Sequence, residues 1–434
     1  MAWDFSTEPE FQETLDWMRE FVDEEILPIE PIAEELTLDQ LRAITTPLQA
    51  EVQKRGLWAA HLDPELGGQG MGQLKLGLMH EILGRSVYAP SVFGNQAPDS
   101  GNAELIAIGA TEEQKEKWLW PLLDGKIHSS FSMTEPHVAG SDPTAIICRA
   151  ERDGDEWVIN GEKWFASNAD VADIIVLMAV TNPEAQPHRR AGMLIVPKGT
   201  PGMTIKHKPG TMSHPQHGPL DGRGGNHCHL LFENARIPAD NLIGQPGDGF
   251  VLAQKRLGGG RIHHAMRLIG VCHRAFDAMR ERLVSRTSHG KRLSEHQMMQ
   301  DMVAKSAVEI ETARLLTLKA AWTMDHSGAS NSRAEIAMIK YWSAKVAMNV
   351  LDRAIQIYGS LGYTTDLPLE GMYRSARALR IADGADEVHK VTIAKHFLRD
   401  AEPVEGWPTE HIPTRREDSL RKFADLIELH TENL

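Results

Sequence analysis

The sequence predicts an α+β fold in three zones: helices, then a β-domain, then helices again. Three observations carry this. Apolar residues recur near a helical period over residues 1–126, with acids between them. Between Lys126 and Asn241 the pattern changes to short apolar runs bounded by turn residues. From Gly249 to Leu398 helical periodicity returns. At 434 residues the chain is too long for one simple core. The expected divisions are 1–126, 127–245, 246–400 and a tail, 401–434.

Taken in order, residues 8–35 read as one or two helices on Phe11, Leu15, Met18, Phe21, Val22 and Leu27, broken by Pro28 and Pro31. A second helix covers about 38–55. Asp63-Pro64-Glu65-Leu66-Gly67-Gly68-Gln69-Gly70 is a loop. No strand enters it and no Lys-Ser/Thr follows, so it is a mobile connection rather than a phosphate cradle. Helices follow at 73–86, 100–109 and 112–123, the last opened by a Thr111/Gln114 capping box. Ile127 to Met133 reads as a strand end. Further strands are expected at Ile146–Arg152, Glu156–Ile159, Ile174–Val180, Met193–Pro197 and His227–Phe232, with a hairpin at Asp153-Gly154-Asp155. Helices at 298–325 and 333–358 carry broad apolar faces. The tail holds Pro403, Pro408 and Pro413 before a short amphipathic stretch, and reads as an appendage or a subunit clasp.

Charge and cysteine content narrow the function. Net charge is 46 − 60 = −14. Phosphate backbones need a basic surface, so nucleic acid is not an expected partner. Cys148, Cys228 and Cys272 show no CxxC spacing and fit free thiols in a reducing compartment. The acidic N-terminus is no signal peptide, and the longest apolar runs are too short to span a bilayer. The expectation is a soluble cytoplasmic protein with no membrane partner. His207, His214, His217, His227 and His229 lack a fixed ligand spacing, so no metal site is expected. No GxGxxG follows a strand, which argues against a Rossmann site.

Two runs carry chemistry in the β zone. Phe131-Ser132-Met133-Thr134-Glu135-Pro136 leads from a strand end into a loop of small residues, Ala139-Gly140-Ser141. The loop lets main chain approach a flat ligand, and Thr134 and Ser141 offer hydroxyls. Asn160-Gly161-Glu162-Lys163-Trp164-Phe165-Ala166-Ser167 then brings an aromatic pair and another hydroxyl. Each alone reads as an ordinary turn. Together, in this order, they resemble the flavin-binding signature of the acyl-CoA dehydrogenase family. The resemblance covers most of residues 60–400. It implies that family's fold, with a C-terminal four-helix bundle, and FAD held by Phe131, Met133, Thr134, Gly140, Ser141, Phe165, Ala166 and Ser167.

The C-terminal zone strengthens the resemblance. In Arg380-Ile381-Ala382-Asp383-Gly384-Ala385-Asp386-Glu387, Asp383 by itself suits a helix N-cap. The family places Glu there as the base that removes the α-proton of a thioester, so the resemblance implies that role for Asp383, one methylene shorter. Such a base is expected to be desolvated enough for its pKa to rise. Ala385, Asp386 and Glu387 are implied at the flavin and Gly384 at the substrate. No carboxylate stands at the family's alternative base position in Leu257-Gly258-Gly259-Gly260-Arg261-Ile262-His263-His264. The three glycines cost roughly 1 kcal/mol each in a helix and make sense if something bulky approaches. Arg261, His263 and His264 are candidate substrate contacts, and Ser141 is implied at the substrate as well as at the flavin. Arg286, Gln297, Gln356 and Gly359 match stretches that meet flavin across subunits, implying a homodimer or homotetramer.

The run 256–270 with 382–389 resembles most a branch whose vertebrate members fuse this module to a phosphotransferase-like kinase domain and act in 4-hydroxyacyl-CoA degradation. Two activities are implied. One is an FAD-dependent acyl-CoA dehydrogenase passing electrons to an electron-transferring flavoprotein. The other is redox-neutral elimination of phosphate from a 4-phosphoacyl-CoA. A flavin-holding partner subunit without catalysis is a third reading, from another class.

Overall fold

The computed structural model of the chain describes residues 6–66, 68–213 and 227–431. It divides into two compact units, Met1–Lys390 and Val391–Leu434. The first opens with α1 (Pro9–Phe21), α2 (Leu38–Lys54), α3 (Gly72–Leu83), α4 (Ala89–Val92), α5 (Asp99–Gly109), α6 (Glu112–Gln114) and α7 (Trp120–Leu123). After α1 the ladder loosens into a π-turn and two 3₁₀ turns around Pro28 and Pro31, because proline donates no backbone hydrogen bond. Thr37 with Gln40 and Thr111 with Gln114 form full capping boxes. Phe11, Met18, Met79 and Phe93 share the core of this zone.

The β-domain contains β1 (Ser129–Ser132), β2 (Arg149–Asp153), β3 (Glu156–Ser167), β4 (Ile174–Val180), β5 (Ala191–Pro197), β6 (Met203–His207), β7 (His227–Pro238) and β8 (Leu242–Ile243). The strand path is β6-β7-β3-β1-β4-β5-β8, and β2 pairs with β3 and β4. Every residue of β4 is buried. Ile175, Leu177 and Ala179 face the core inside the β-domain, while Ile174, Val176 and Met178 face α5, α7 and the next helix. Burial on both faces explains its unbroken apolar run. β2 and β3 meet at the expected hairpin, with Gly154 at φ 58°. β3 extends eight residues past the predicted Ile159. The extension was hidden because Lys163, which reads as a surface residue, is wholly buried on Glu135, and because two bulges break the alternation.

The third zone holds α8 (Gly249–Ser285), a small ribbon of β9 (Thr287–Ser288) and β10 (Lys291–Arg292), α9 (Gln297–Ser327), α10 (Arg333–Tyr358), α11 (Leu369–Ala378) and α12 (Asp386–Leu398). Helices α8 to α11 form the bundle around Ile269, Met279, Val346, Leu351 and Ala376. The second unit carries the rest of α12, then α13 (Ile412–Lys422) and α14 (Ala424–Thr431). There Leu420, Phe423, Leu426 and Ile427 are exposed. Among the described residues no helix is long and apolar enough to cross a membrane.

Candidate active site

Helix α8 positions most of the site. It crosses α3 at two glycines: a Cβ on Gly84 would lie 2.1 Å from the Arg267 carbonyl, and one on Gly270 2.1 Å from the Glu81 carbonyl. Only glycine allows that approach. The crossing lays the His263 ring on His80, centroids 4.1 Å apart. It also buries the Arg267 guanidinium, which donates to His80 Nδ1 (3.1 Å), Gln96 Oε1 (3.2 Å) and the Asn95 carbonyl (2.6 Å). Among the described residues no carboxylate pairs with Arg267, and burial pulls its pKa down to about 9. The same burial holds His80 and His263 well below the usual histidine value. Among the described residues His263 Nε2 has no hydrogen-bond partner.

Between α11 and α12 the chain turns sharply, and Asp383 sits there with φ 55°, followed by Gly384 at φ 102°. Asp383 lies three residues ahead of α12, so it is not that helix's N-cap. Arg261 Nε donates to its carbonyl at 3.2 Å, and Lys340 of α10 donates to the carbonyl of Leu379 in the same turn. His264 Nε2 lies 3.3 Å from Asp383 Oδ2. Burial opposes ionisation of Asp383. The His264 hydrogen bond and the charges of His264, Arg256 and Lys340 outweigh it and hold the carboxyl well below the usual range. The expectation of a raised pKa is thus reversed, because the carboxylate is surrounded by cations.

Asp383 opens onto a cavity lined also by His61, Glu104, Arg256, His263 and His264. Arg256 donates to Asn102 Oδ1 at 3.1 Å and lies 3.9 Å above the Phe131 ring. Burial pushes the Glu104 carboxyl up to about 7, with Arg256 opposing. Gly260 lines the cavity too, and an added Cβ there would touch nothing within 4 Å. Sequence reading missed Glu104, Arg256 and Arg267. A signal existed: Arg256, Gly260, His263, His264 and Arg267 recur at i, i+4, i+7, i+8 and i+11, one face of a helix that should be apolar.

The β-domain runs meet where predicted. The Thr134 hydroxyl donates to the Trp164 carbonyl at 2.9 Å, and Trp164 N–H returns a bond to the Thr134 carbonyl. Phe165 stands at a β-bulge with φ 54° and its ring is 44 % exposed. An uncovered aromatic held in a strained backbone leaves a platform that fits a flat ring, and an added Cβ at Gly140 would meet only Thr134. Ser167 Oγ meets His227 Nδ1 at 2.9 Å. Ala166 is fully buried. Met133 is half-buried and Ser141 exposed. Arg286, Gln297, Gln356 and Gly359 are exposed.

Two implied roles change. The Asp386 carboxylate pairs with Arg380 at 2.7 Å and is buried, so its side chain braces the turn. Glu387 faces solvent near Lys390 and Ala385 is half-buried. His264 touches the base position itself. Of the histidines weighed as ligands, His214 and His217 lie outside the described residues. His229 Nε2 bonds Glu162 at 2.7 Å. Among the described residues no group of three or more His, Cys, Asp or Glu is placed to hold a metal.

Known proteins share this architecture. Three family models match: the acyl-CoA dehydrogenase N-terminal domain at 8–126, the middle domain at 130–234 and the C-terminal domain at 247–398. "Probable acyl-CoA dehydrogenase FadE2" of Mycobacterium tuberculosis is 44 % identical over 82 % of this chain and 86 % of its own. "Acyl-CoA dehydrogenase family member 11" of Mus musculus is 40 % identical over 90 % of this chain and 50 % of its own. The chain spans only half the length of that mouse protein, and 37 % of the mouse family member 10. A solved Mycobacterium abscessus structure assigned to the acyl-CoA dehydrogenases superposes with a TM-score of 0.85 at 39 % identity, over 91 % of this chain and 99 % of its own. The helical, β and helical zones are therefore the acyl-CoA dehydrogenase fold, and the chain belongs to the acyl-CoA dehydrogenase family, as a flavin-dependent oxidoreductase.

Proposed function

We propose that the protein is an FAD-dependent acyl-CoA dehydrogenase in which Asp383 removes the α-proton of an acyl-CoA thioester. One observation carries this reading: an ionised carboxylate, held in a left-handed turn by Arg261, opens onto a cavity at the junction of α8 and α5. An ionised carboxylate is the form that accepts a proton. Bound flavin supplies the acceptor for the β-hydride. Phe131, Met133, Thr134, Gly140, Ser141, Phe165, Ala166 and Ser167 would hold it in one subunit. Ala385 and Glu387 would flank it near the turn, and Gly384 backbone would face the thioester. Arg286, Gln297, Gln356 and Gly359 would reach a flavin across a homodimer or homotetramer. Electron-transferring flavoprotein is the proposed acceptor.

A second reading is favoured by a specific observation. The cavity walls are cationic and polar, with Arg256 buried, His61 and His263 half-buried, and Arg267 lacking a carboxylate among the described residues. A plain alkyl chain gains little there, whereas an anionic substituent would meet the positive charge of Arg256 and Arg267. Elimination of phosphate from a 4-phosphoacyl-CoA would use that lining without net oxidation, as the resemblance to the kinase-fused branch suggests. Anaerobic mixing separates the two. Lasting loss of flavin absorbance with a saturated acyl-CoA, absent in Asp383→Ala, is the expected result for dehydrogenation. Phosphate release from a 4-phosphoacyl-CoA with flavin returning to its oxidised form would establish elimination. Full turnover by Asp383→Ala would sink both.

A further inference from the structure

We propose that His227 is a positioning residue for bound flavin: it fixes the Ser167 hydroxyl that meets the cofactor. This deepens the flavin reading above and rests on it. Phe131, Ser167 and His227 are direct neighbours across β1, β3 and β7. Residues directly opposite in an antiparallel pair put their side chains on one face. Their sequence neighbours Ala166 and Cys228 belong to the β-domain core, as alternation along a strand requires. The row starts beside the cavity that holds Asp383, because Arg256 lies over the Phe131 ring and lines that cavity. It crosses Ser167 and reaches His227.

At that end His227 touches two of the groups that would hold the ring. Its Nδ1 lies 2.9 Å from Ser167 Oγ. Its own ring meets the Phe165 ring, with centroids 5.3 Å apart and planes inclined by 57°. Trp164 meets Phe165 edge-on at 5.0 Å. Phe165 thus has two ring neighbours and still keeps an open face. The backbone on both sides of Ser167 is left-handed, with Phe165 at φ 54° and Asn168 at φ 64°. Strain of that kind persists where the surroundings over-determine a conformation, and it gathers at ligand clamps.

The chemistry gives the imidazole something to do. A serine hydroxyl turns freely and carries one proton and two lone pairs. Unfixed, it donates to a ring acceptor or accepts from a ring N–H, and favours neither. Sharing a proton with Nδ1 ends that freedom. Either Ser167 gives its proton to Nδ1 and keeps its lone pairs for the ligand, or it accepts from Nδ1–H and keeps its own proton for the ligand. Each arrangement favours one oxidation state of a flavin, since the oxidised ring edge offers acceptors and the reduced one offers an N–H. Loss of His227 and loss of Ser167 therefore move the reduction potential in the same direction. Once one is gone, the other has nothing left to act on.

The experiment measures the reduction potential of the flavin-loaded enzyme by dye-coupled titration at one pH, with flavin content and thermal midpoint recorded for each variant. His227→Phe keeps a ring against Phe165 and removes the hydrogen bond. It and Ser167→Ala should each shift the reduced-to-oxidised ratio about tenfold, which is about 30 mV for this two-electron couple, and in the same direction. The double variant should move no further than Ser167→Ala alone, a coupling that a merely structural role would not give. His227→Asn sets an amide near the place of Nδ1 and should return toward the wild-type potential. An unchanged potential in His227→Phe, a double variant whose shift is the sum of the two singles, or no return in His227→Asn would overturn the role of His227. An unchanged potential in Ser167→Ala is a different failure: it would remove the reading that sets flavin against Ser167.

Discussion

Two buried charge clusters sit in one compact unit and behave oppositely. In the β-domain, Glu135 accepts from Ile147 N–H (2.7 Å), Cys148 N–H (2.9 Å) and Lys163 Nζ (2.8 Å), and Lys163 also donates to the Met133 carbonyl. Both side chains are out of solvent and both are satisfied. In the cavity beside Asp383 the account does not close. Among the described residues Arg267 has no carboxylate and His263 Nε2 no partner, and Glu104 is pushed toward its neutral form. A buried charge cluster closed on itself holds a fold together. One left open is arranged for something that arrives.

The comparison is broken most severely at Asp383. Asp383→Ala should lower kcat by about 10²–10⁴-fold, with flavin content and thermal midpoint unchanged. Asp383→Glu restores the family's usual residue and should keep part of that rate. A destabilised Asp383→Ala would mean that this carboxylate, like Glu135, serves structure. The converse test removes Lys163. Lys163→Met leaves Glu135 buried and unpaired, and such losses cost about 3–5 kcal/mol. Urea unfolding should show that loss, and flavin should bind weakly, because the Thr134 loop hangs on the same pair. An unchanged midpoint would deny the closed cluster its structural role.

A smaller effect sharpens the contrast through pH. Burial raises Glu104 to about 7 from its usual 4.5. Between those values the folded chain binds more protons than the unfolded one, so stability falls as pH rises through that window. Glu104→Gln should flatten this slope, by an amount of a few kcal/mol at most. The same variant keeps the cavity free of a new negative charge above neutrality. It should therefore bind an anionic acyl chain more evenly from pH 6 to pH 8. Stability curves and ligand titrations at both pH values check the two halves. Parallel slopes in the two proteins would show that Glu104 is solvated and titrates near its ordinary value.

The same contrast explains what the sequence made legible. β4 was read residue for residue, because Ile174–Val180 is apolar on both faces. Helix α10 was equally plain. The second half of β3 was not, since a buried Lys163 looks like a surface lysine until Glu135, 28 residues away, is seen beneath it. Asp383 was placed by resemblance, and its turn is where the chain puts it. Its electrostatic setting was not legible. Arg256 and His264 lie far from Asp383 in sequence and Lys340 lies on another helix. A pKa depends on distances that only the packing of α8 against α3 and α10 creates. The brace at Asp386 was hidden for the same reason: nothing in the sequence pairs that acid with Arg380, six residues before it.

The smallest expected effect falls at Gly260, where stability and use of the cavity pull apart. Glycine inside a helix costs about 0.8–1 kcal/mol relative to alanine. An added Cβ at Gly260 meets nothing within 4 Å, so Gly260→Ala should raise stability by up to about 1 kcal/mol in urea unfolding. At Gly84 or Gly270 the same change would drive Cβ into backbone, and it should destabilise. The open space beside Gly260 is the cavity itself, however, and a methyl there takes room from the acyl chain. KM for a branched or substituted acyl-CoA should then rise while a short straight chain is less affected. A variant that gains stability with no change in KM for either would place the substrate elsewhere than beside α8. The glycine would then be a packing accident and the cavity no acyl site.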